Sequence, residues 1–375
     1  MIENIIKNNK IVNKVYVFVG SIIVRIIGLF VKVDKNKILL SSGAGKFIGD
    51  SPYVIYKELV KDSFFDDYEM IWAVDDVEKF KNDGFNVVKI NSLKYLIIAL
   101  SSRIWITSVN IERGLHFKRN DNFYINTWHG IPLKYIGNDV SGRADYNFND
   151  INVFLISGEY EREIYKRAFN LKSDAIYKLG LPRNIELENF EVKDKHVLLE
   201  KLQLGKLSNK RILFYAPTWR GYDYNPLNLS KLKSAVENEY HIIVKSHPLE
   251  KLEFNDEEVT DVSHISDVSS LLKISDVIIS DYSSIMIDFA LLKRPIFSYI
   301  PDYKKYHRER GLYVSKEELA PNVFENEDAL IKGIKSLNVN QERTKTEKYL
   351  QNFVEVSSRS STKEIINLIK KELRE

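Results

Sequence analysis

Short apolar runs alternate with longer amphipathic stretches along most of this chain. Runs at 37–41, 70–74, 87–90, 103–107, 123–126, 153–156 and 175–179 are four or five residues long and rich in Ile, Val, Leu and aromatic side chains, the pattern of buried strands. Helical spacing occupies 52–61, 93–100 and 160–169 between them. A charged, helix-prone stretch at 186–210 interrupts the alternation, which then resumes with strand-like runs at 211–215, 241–244, 276–280 and 295–299 and helices near 229–238, 268–274 and 284–292. Strands buried on both faces and alternating with helices predict parallel, doubly wound α/β sheets, and the interruption predicts two of them. The expected division is an N-terminal helix at 1–33, a first Rossmann-like domain at 34–190 and a second at 191–375. The terminal helix near 364–373 is free to pack back on the first domain.

The first 33 residues follow a different pattern. Lys7, Lys10, Lys14, Ser21, Arg25, Gly28 and Lys32 recur at helical spacing and fall within roughly a 60° arc, and the remaining circumference is Ile, Val, Phe, Tyr and Leu. Lys14, Arg25 and Lys32 interrupt the apolar run, leaving no stretch of the ~20 residues a spanning helix needs, and no small-residue cleavage site follows it. The pattern predicts a helix lying in a membrane interface, with Lys7, Lys10, Lys14, Arg25 and Lys32 at anionic headgroups.

Composition narrows the chemistry. The 375 residues hold 44% hydrophobic and 29% charged side chains, enough for two cores, and no cysteine, which excludes thiol nucleophiles, disulfides and Cys-ligated metal. A net charge of +3 argues against a nucleic-acid partner. In open parallel sheets ligands bind beyond the carboxyl ends of strands, and the polar clusters sit there: Thr127-Trp128-His129-Gly130, Ala216-Pro217-Thr218-Trp219-Arg220, Lys245-Ser246-His247-Pro248 and Asp281-Tyr282-Ser283-Ser284. His129 and His247 are the general acid/base candidates, because a neutral imidazole accepts a proton near pH 7. Ser283 and Ser284, opening a helix, offer hydroxyls and unpaired N–H groups to an anion, with Lys245 on a neighbouring strand end and Arg220 as further phosphate partners. Gly43-Ala44-Gly45-Lys46 lacks the Ser or Thr and the glycine spacing of a P-loop. No Asp-X-Asp pair occurs, so a leaving phosphate is expected to be neutralised by hydroxyls and cations, without metal or cofactor.

The ordered set Asn126-Thr-Trp-His-Gly-Ile-Pro-Leu-Lys134, Leu179-Gly-Leu-Pro-Arg-Asn184, Tyr215-Ala-Pro-Thr-Trp-Arg220, Lys245-Ser-His-Pro248, Ser280-Asp-Tyr-Ser-Ser-Ile-Met-Ile-Asp-Phe-Ala290, Arg294-Pro-Ile-Phe-Ser-Tyr299 and Arg308-Glu-Arg-Gly-Leu-Tyr313 resembles the CDP-glycerol glycerophosphotransferases of bacterial wall teichoic acid synthesis. The resemblance covers nearly all of the chain after Asp34, including Gly45-Lys46 through Asp50-Ser-Pro52. It implies a GT-B fold, two Rossmann-like domains facing a cleft, and a peripheral enzyme on the cytoplasmic face of the bacterial membrane. The implied donor is a CDP-linked polyol phosphate such as CDP-glycerol. The implied acceptor is a hydroxyl of a polyprenyl-diphosphate-linked lipid, and CMP is released. By motif, His129 is the base, His247, Ser283 and Ser284 hold the donor diphosphate, and Asp288 lies toward the nucleotide, with Thr218, Arg220 and Lys245 as further ligands. The competing readings are a GT-B glycosyltransferase using a nucleotide sugar in capsule synthesis and a nucleotide-binding scaffold without turnover.

Overall fold

The computed structural model describes residues 10–143, 145–207, 209–246 and 259–374. Lys7 and His247 lie outside the described residues. Seven strands, β1 (Asp34–Ser41), β2 (Glu69–Val74), β3 (Val87–Lys89), β4 (Ser102–Thr107), β5 (Phe123–Asn126), β6 (Val153–Ile156) and β7 (Ile176–Lys178), form one sheet in the order β3-β2-β1-β4-β5-β6-β7. Six more, β8 (Arg211–Tyr215), β9 (Tyr240–Val244), β10 (Thr260–Asp261), β11 (Val277–Ser280), β12 (Ile296–Tyr299) and β13 (Asn322–Phe324), form a second in the order β10-β9-β8-β11-β12-β13. Every pairing between these strands is parallel.

Alternation along each strand explains why both faces are covered. In β1, Ile38 and Leu40 join the apolar cluster on one face with Ile104 and Ile106, while Leu39 joins the other with Trp105 and Tyr124. In the second sheet Ile212 and Phe214 point one way, Leu213 and Tyr215 the other. Period-two alternation of apolar residues leaves no solvated face, so helices must pack on both sides. The chain changes lobes more than once. Ile131 and Leu133, which follow β5 of the first sheet, are buried in the core of the second lobe together with Leu187, Leu199 and Leu204. The terminal helix Ser361–Arg374 returns to the first sheet, where Ile365, Ile366 and Ile369 pack against its core and Arg103 pairs with Glu372 at 2.6 Å.

The helix Lys10–Phe30 docks on the first lobe through part of the arc read as a polar stripe. Ser21, Val24 and Gly28 are buried against the first lobe. Small residues allow this approach: a Cβ on Gly20 would stand 3.1 Å from Leu115, and one on Gly28 3.2 Å from Leu100. The His116 N–H donates to Ser21 Oγ at 2.9 Å. Arg119 Nη1 donates to the Gly28 and Val31 carbonyls at 3.1 and 2.6 Å, satisfying the last turn with a cation. Part of the arc read as a headgroup stripe is therefore the docking face, and Lys14, Arg25 and Lys32 remain exposed along its margin. The opposite side leaves Val15, Tyr16, Phe18, Val19, Ile22, Ile23, Ile26, Leu29 and Phe30 exposed, with Leu29 at 82% and Phe30 at 86%. Among the described residues no helix is long and apolar enough to cross a membrane.

Candidate active site

Each sheet has one point where the winding reverses: between β1 and β4 in the first, and between β8 and β11 in the second. Loops leaving the two strands at such a point diverge and open a crevice. The clusters 216–220 and 281–284 follow β8 and β11 at the second of these points, while His129, after β5, and Lys245, after β9, each lie one strand further along.

Trp128 anchors the histidine loop. It is buried, packs on Phe169 with ring centroids 4.5 Å apart, and its N–H donates to Asn126 Oδ1 at 2.8 Å. Its φ of +49° turns the chain sharply, so the next side chain leaves the core for the cleft. His129 is accordingly exposed, lying over Trp128 at 4.1 Å. Its Nδ1 lies 2.7 Å from the Ser108 carbonyl, which opens the switch-point loop after β4. A carbonyl only accepts, so Nδ1 carries the proton and Nε2 keeps its lone pair. Displacement of water by the surrounding walls lowers the ring's pKa from its ordinary value. The Ser108 carbonyl and the Asp50 carboxylate oppose that shift, and Arg183 adds to it. The imidazole is neutral at pH 7 and fit to accept a proton.

The next residue joins the two lobes. A Cβ on Gly130, whose φ is +146°, would stand 2.9 Å from Ser284 Oγ and 3.3 Å from Arg183 Nη2. Glycine lets the loop approach the second lobe this closely, and Tyr165 steadies it by donating its hydroxyl to the Gly130 carbonyl at 2.9 Å. Ser284 precedes the helix Ile285–Ala290 but makes no side-chain capping bond, while Ser283 Oγ accepts the Ile285 N–H at 3.3 Å. The helix has only six residues, so the two hydroxyls matter more here than its dipole.

The cations expected to meet phosphate have other partners in this structure. The Arg220 side chain is 1% exposed, paired with Asp281 and, at 3.2 Å, with Asp302. Asp281 also accepts the Thr218 N–H at 2.8 Å and the Thr218 hydroxyl at 2.6 Å. Thr218 and Arg220 thus brace the loop after β8, where two buried carboxylates demand compensation. Lys245 donates to the Ser263 and Ile265 carbonyls at 3.0 and 2.6 Å and so holds the loop after β10. Asp288 forms an ion pair with Arg183 at 2.6 Å, across the lobes, with Asp50 3.8 Å from the same guanidinium. Arg183, Asp50 and Lys134 lie inside quoted motifs yet had no role assigned from sequence. Membership in those motifs was the only signal pointing to them.

The family described as CDP-Glycerol:Poly(glycerophosphate) glycerophosphotransferase matches residues 23–371. The teichoic acid poly(glycerol phosphate) polymerase of Bacillus spizizenii is 33% identical, covering 92% of this chain and 94% of the relative. The teichoic acid glycerol-phosphate transferase of Staphylococcus aureus is 32% identical over 81% of this chain and 84% of its own length. The solved wall teichoic acid polymerase TagF superposes with a TM-score of 0.78 at 28% identity, covering 91% of this chain and 90% of that one. A histidine-to-asparagine variant of TagF soaked with CDPG gives 0.79 at the same identity. The chain belongs to the CDP-glycerol:poly(glycerophosphate) glycerophosphotransferase family.

Proposed function

We propose that this protein transfers glycerol phosphate from CDP-glycerol to a hydroxyl of a lipid-linked acceptor in teichoic acid synthesis, with His129 as the base. The observation that carries this reading is the junction at Gly130, where the residue following a neutral imidazole lies against a serine hydroxyl of the opposite lobe. Nε2 takes the proton of the acceptor hydroxyl as its oxygen attacks the β-phosphorus. The new O–P bond forms, the bond from that phosphorus to the bridging oxygen breaks, and CMP leaves with that oxygen and its electron pair. Positioning and charge neutralisation supply most of the rate in such a transfer. Ser283 and Ser284 are the hydroxyl donors, and His247 is assigned to the diphosphate on its motif. Incubation with CDP-glycerol and a synthetic lipid acceptor, with mass analysis of products, tests the reading. Glycerol-phosphate addition with stoichiometric CMP supports it, and turnover of a nucleotide sugar alone overturns it.

Ser284→Ala is expected to raise the donor KM about 5-fold, the equivalent of one neutral hydrogen bond of ~1 kcal/mol. Melting should be unaffected, because the hydroxyl caps nothing. A lower melting temperature with an unchanged KM would return Ser284 to a structural role.

The exposed side of Lys10–Phe30 is read as the membrane contact, on the cytoplasmic face. At ~100° per residue its apolar positions span roughly 160° of the circumference, bordered on one edge by Lys14, Arg25 and Lys32. Ile22→Glu with Leu29→Glu should abolish flotation with anionic liposomes and leave the fold intact, since neither side chain packs on the lobe. Undiminished flotation would refute the contact.

A further inference from the structure

We propose that Lys134, supplied by the first lobe and acting with Arg310 of the second, is a phosphate ligand of the cleft, an inference that rests on the phosphotransfer reading above. The backbone fixes Lys134 at the seam. It pairs in antiparallel fashion with Leu312, flanked by Tyr135 N–H to the Gly311 carbonyl at 3.2 Å and Tyr313 N–H to the Leu133 carbonyl at 2.9 Å. Ile131 and Leu133 are buried in the second lobe's core, so the segment bearing the lysine is carried by the lobe it faces. Gly311, at φ +73°, makes the seam tight, since any Cβ there would fall 2.2 Å from the Tyr135 ring.

The charges around Lys134 do not cancel. Asp281, Arg310 and Arg220 are the ionised groups that act on its ammonium. Asp281 is committed to Arg220 and Thr218, and Arg220 is matched by Asp281 and Asp302. Among the described residues neither the half-buried Lys134 ammonium nor the Arg310 guanidinium has a hydrogen bond or ion pair. A cation held partly out of water without a counter-ion is costly unless an anion arrives to meet it. Arg220 and Lys245 are occupied elsewhere, so Lys134 and Arg310 are left for that work at the β8/β11 crevice. Burial pushes the Lys134 pKa down to about 8, with Asp281 opposing and both arginines adding to the shift. The charged form persists below that value and is lost above it, so affinity for phosphate falls as pH rises through about 8. A phosphate from either substrate fits this chemistry: the donor's diphosphate or the acceptor's phosphodiester.

The test compares wild type with Lys134→Met and Lys134→Arg in the full chain. Calorimetric binding of inorganic pyrophosphate at pH 7 needs no turnover and separates this inference from the assignment of function, which wild-type CDP-glycerol turnover tests alone. Lys134→Met should weaken pyrophosphate binding and raise one substrate's KM roughly 10- to 100-fold, the value of a charge-assisted contact, with kcat changed far less. A raised donor KM places the diphosphate at Lys134, and a raised acceptor KM places the phosphodiester there. The alkaline limb of kcat/KM near pH 8 should vanish in Lys134→Met. Lys134→Arg should keep the affinity and move the limb out of range, which also serves if the methionine variant folds poorly. Unchanged pyrophosphate affinity, both KM values and alkaline limb in the two variants would overturn the proposal.

Discussion

Replacing His129 with alanine is expected to lower kcat on the order of 10²- to 10⁴-fold, the contribution of a positioned general base. Melting should hardly change, because the ring projects into the cleft and its main packing partner, Trp128, is anchored independently by Phe169 and Asn126. The pH dependence makes the prediction specific. Only the neutral ring accepts a proton, and exclusion of water by the walls lowers its pKa. Wild-type activity should therefore persist as pH falls past ~6.5, the ordinary histidine value, and decline on an acid limb below it. That limb should be missing from the residual activity of His129→Ala. His129→Gln can keep a donor to the Ser108 carbonyl but has no basic nitrogen, so it should be as slow as alanine. Transfer at a near wild-type rate in either variant would remove His129 from the chemistry.

How far sequence reaches depends on whether a feature is local. The strands of the first sheet were legible because each is a short apolar run ending at a polar loop, and His129, Ser283 and Ser284 could be placed at strand ends for the same reason. β10 and β13 were not, being two and three residues long with no fully buried position. The helix Tyr303–Arg310 was hidden because only Tyr306 is buried in a run otherwise dominated by charge. At Lys10–Phe30 glycine and serine read equally well as a polar stripe or as a close-packing surface. Leu100 and Leu115, far along the chain, decide between them. The destinations of charges were the least legible feature. Arg183 and Asp288 are 105 residues apart and meet only when the lobes dock. Arg220 reads as a free cation until Asp281 and Asp302 are brought beside it.

That last pairing yields the largest expected loss of stability. Arg220→Met should destabilise the second lobe by about 3–5 kcal/mol, the cost of leaving buried carboxylates without their cation. The guanidinium is 1% exposed, Asp281 3% and Asp302 10%, so water cannot replace it. Methionine preserves much of the volume, which confines the effect to charge and hydrogen bonds. Tyr282 and Tyr222 still donate to Asp302, at 2.9 and 2.8 Å, and Thr218 still donates to Asp281. These neutral donors soften the loss without cancelling two negative charges. Lys at 220 should recover only part of the stability, since a single ammonium cannot reproduce the fork that spans both carboxylates. Chemical denaturation followed by tryptophan fluorescence measures the change, because Trp219 adjoins the site. If Arg220→Met instead keeps its midpoint and raises the donor KM, the guanidinium serves substrate, and the brace between the β8 and β11 loops must lie elsewhere.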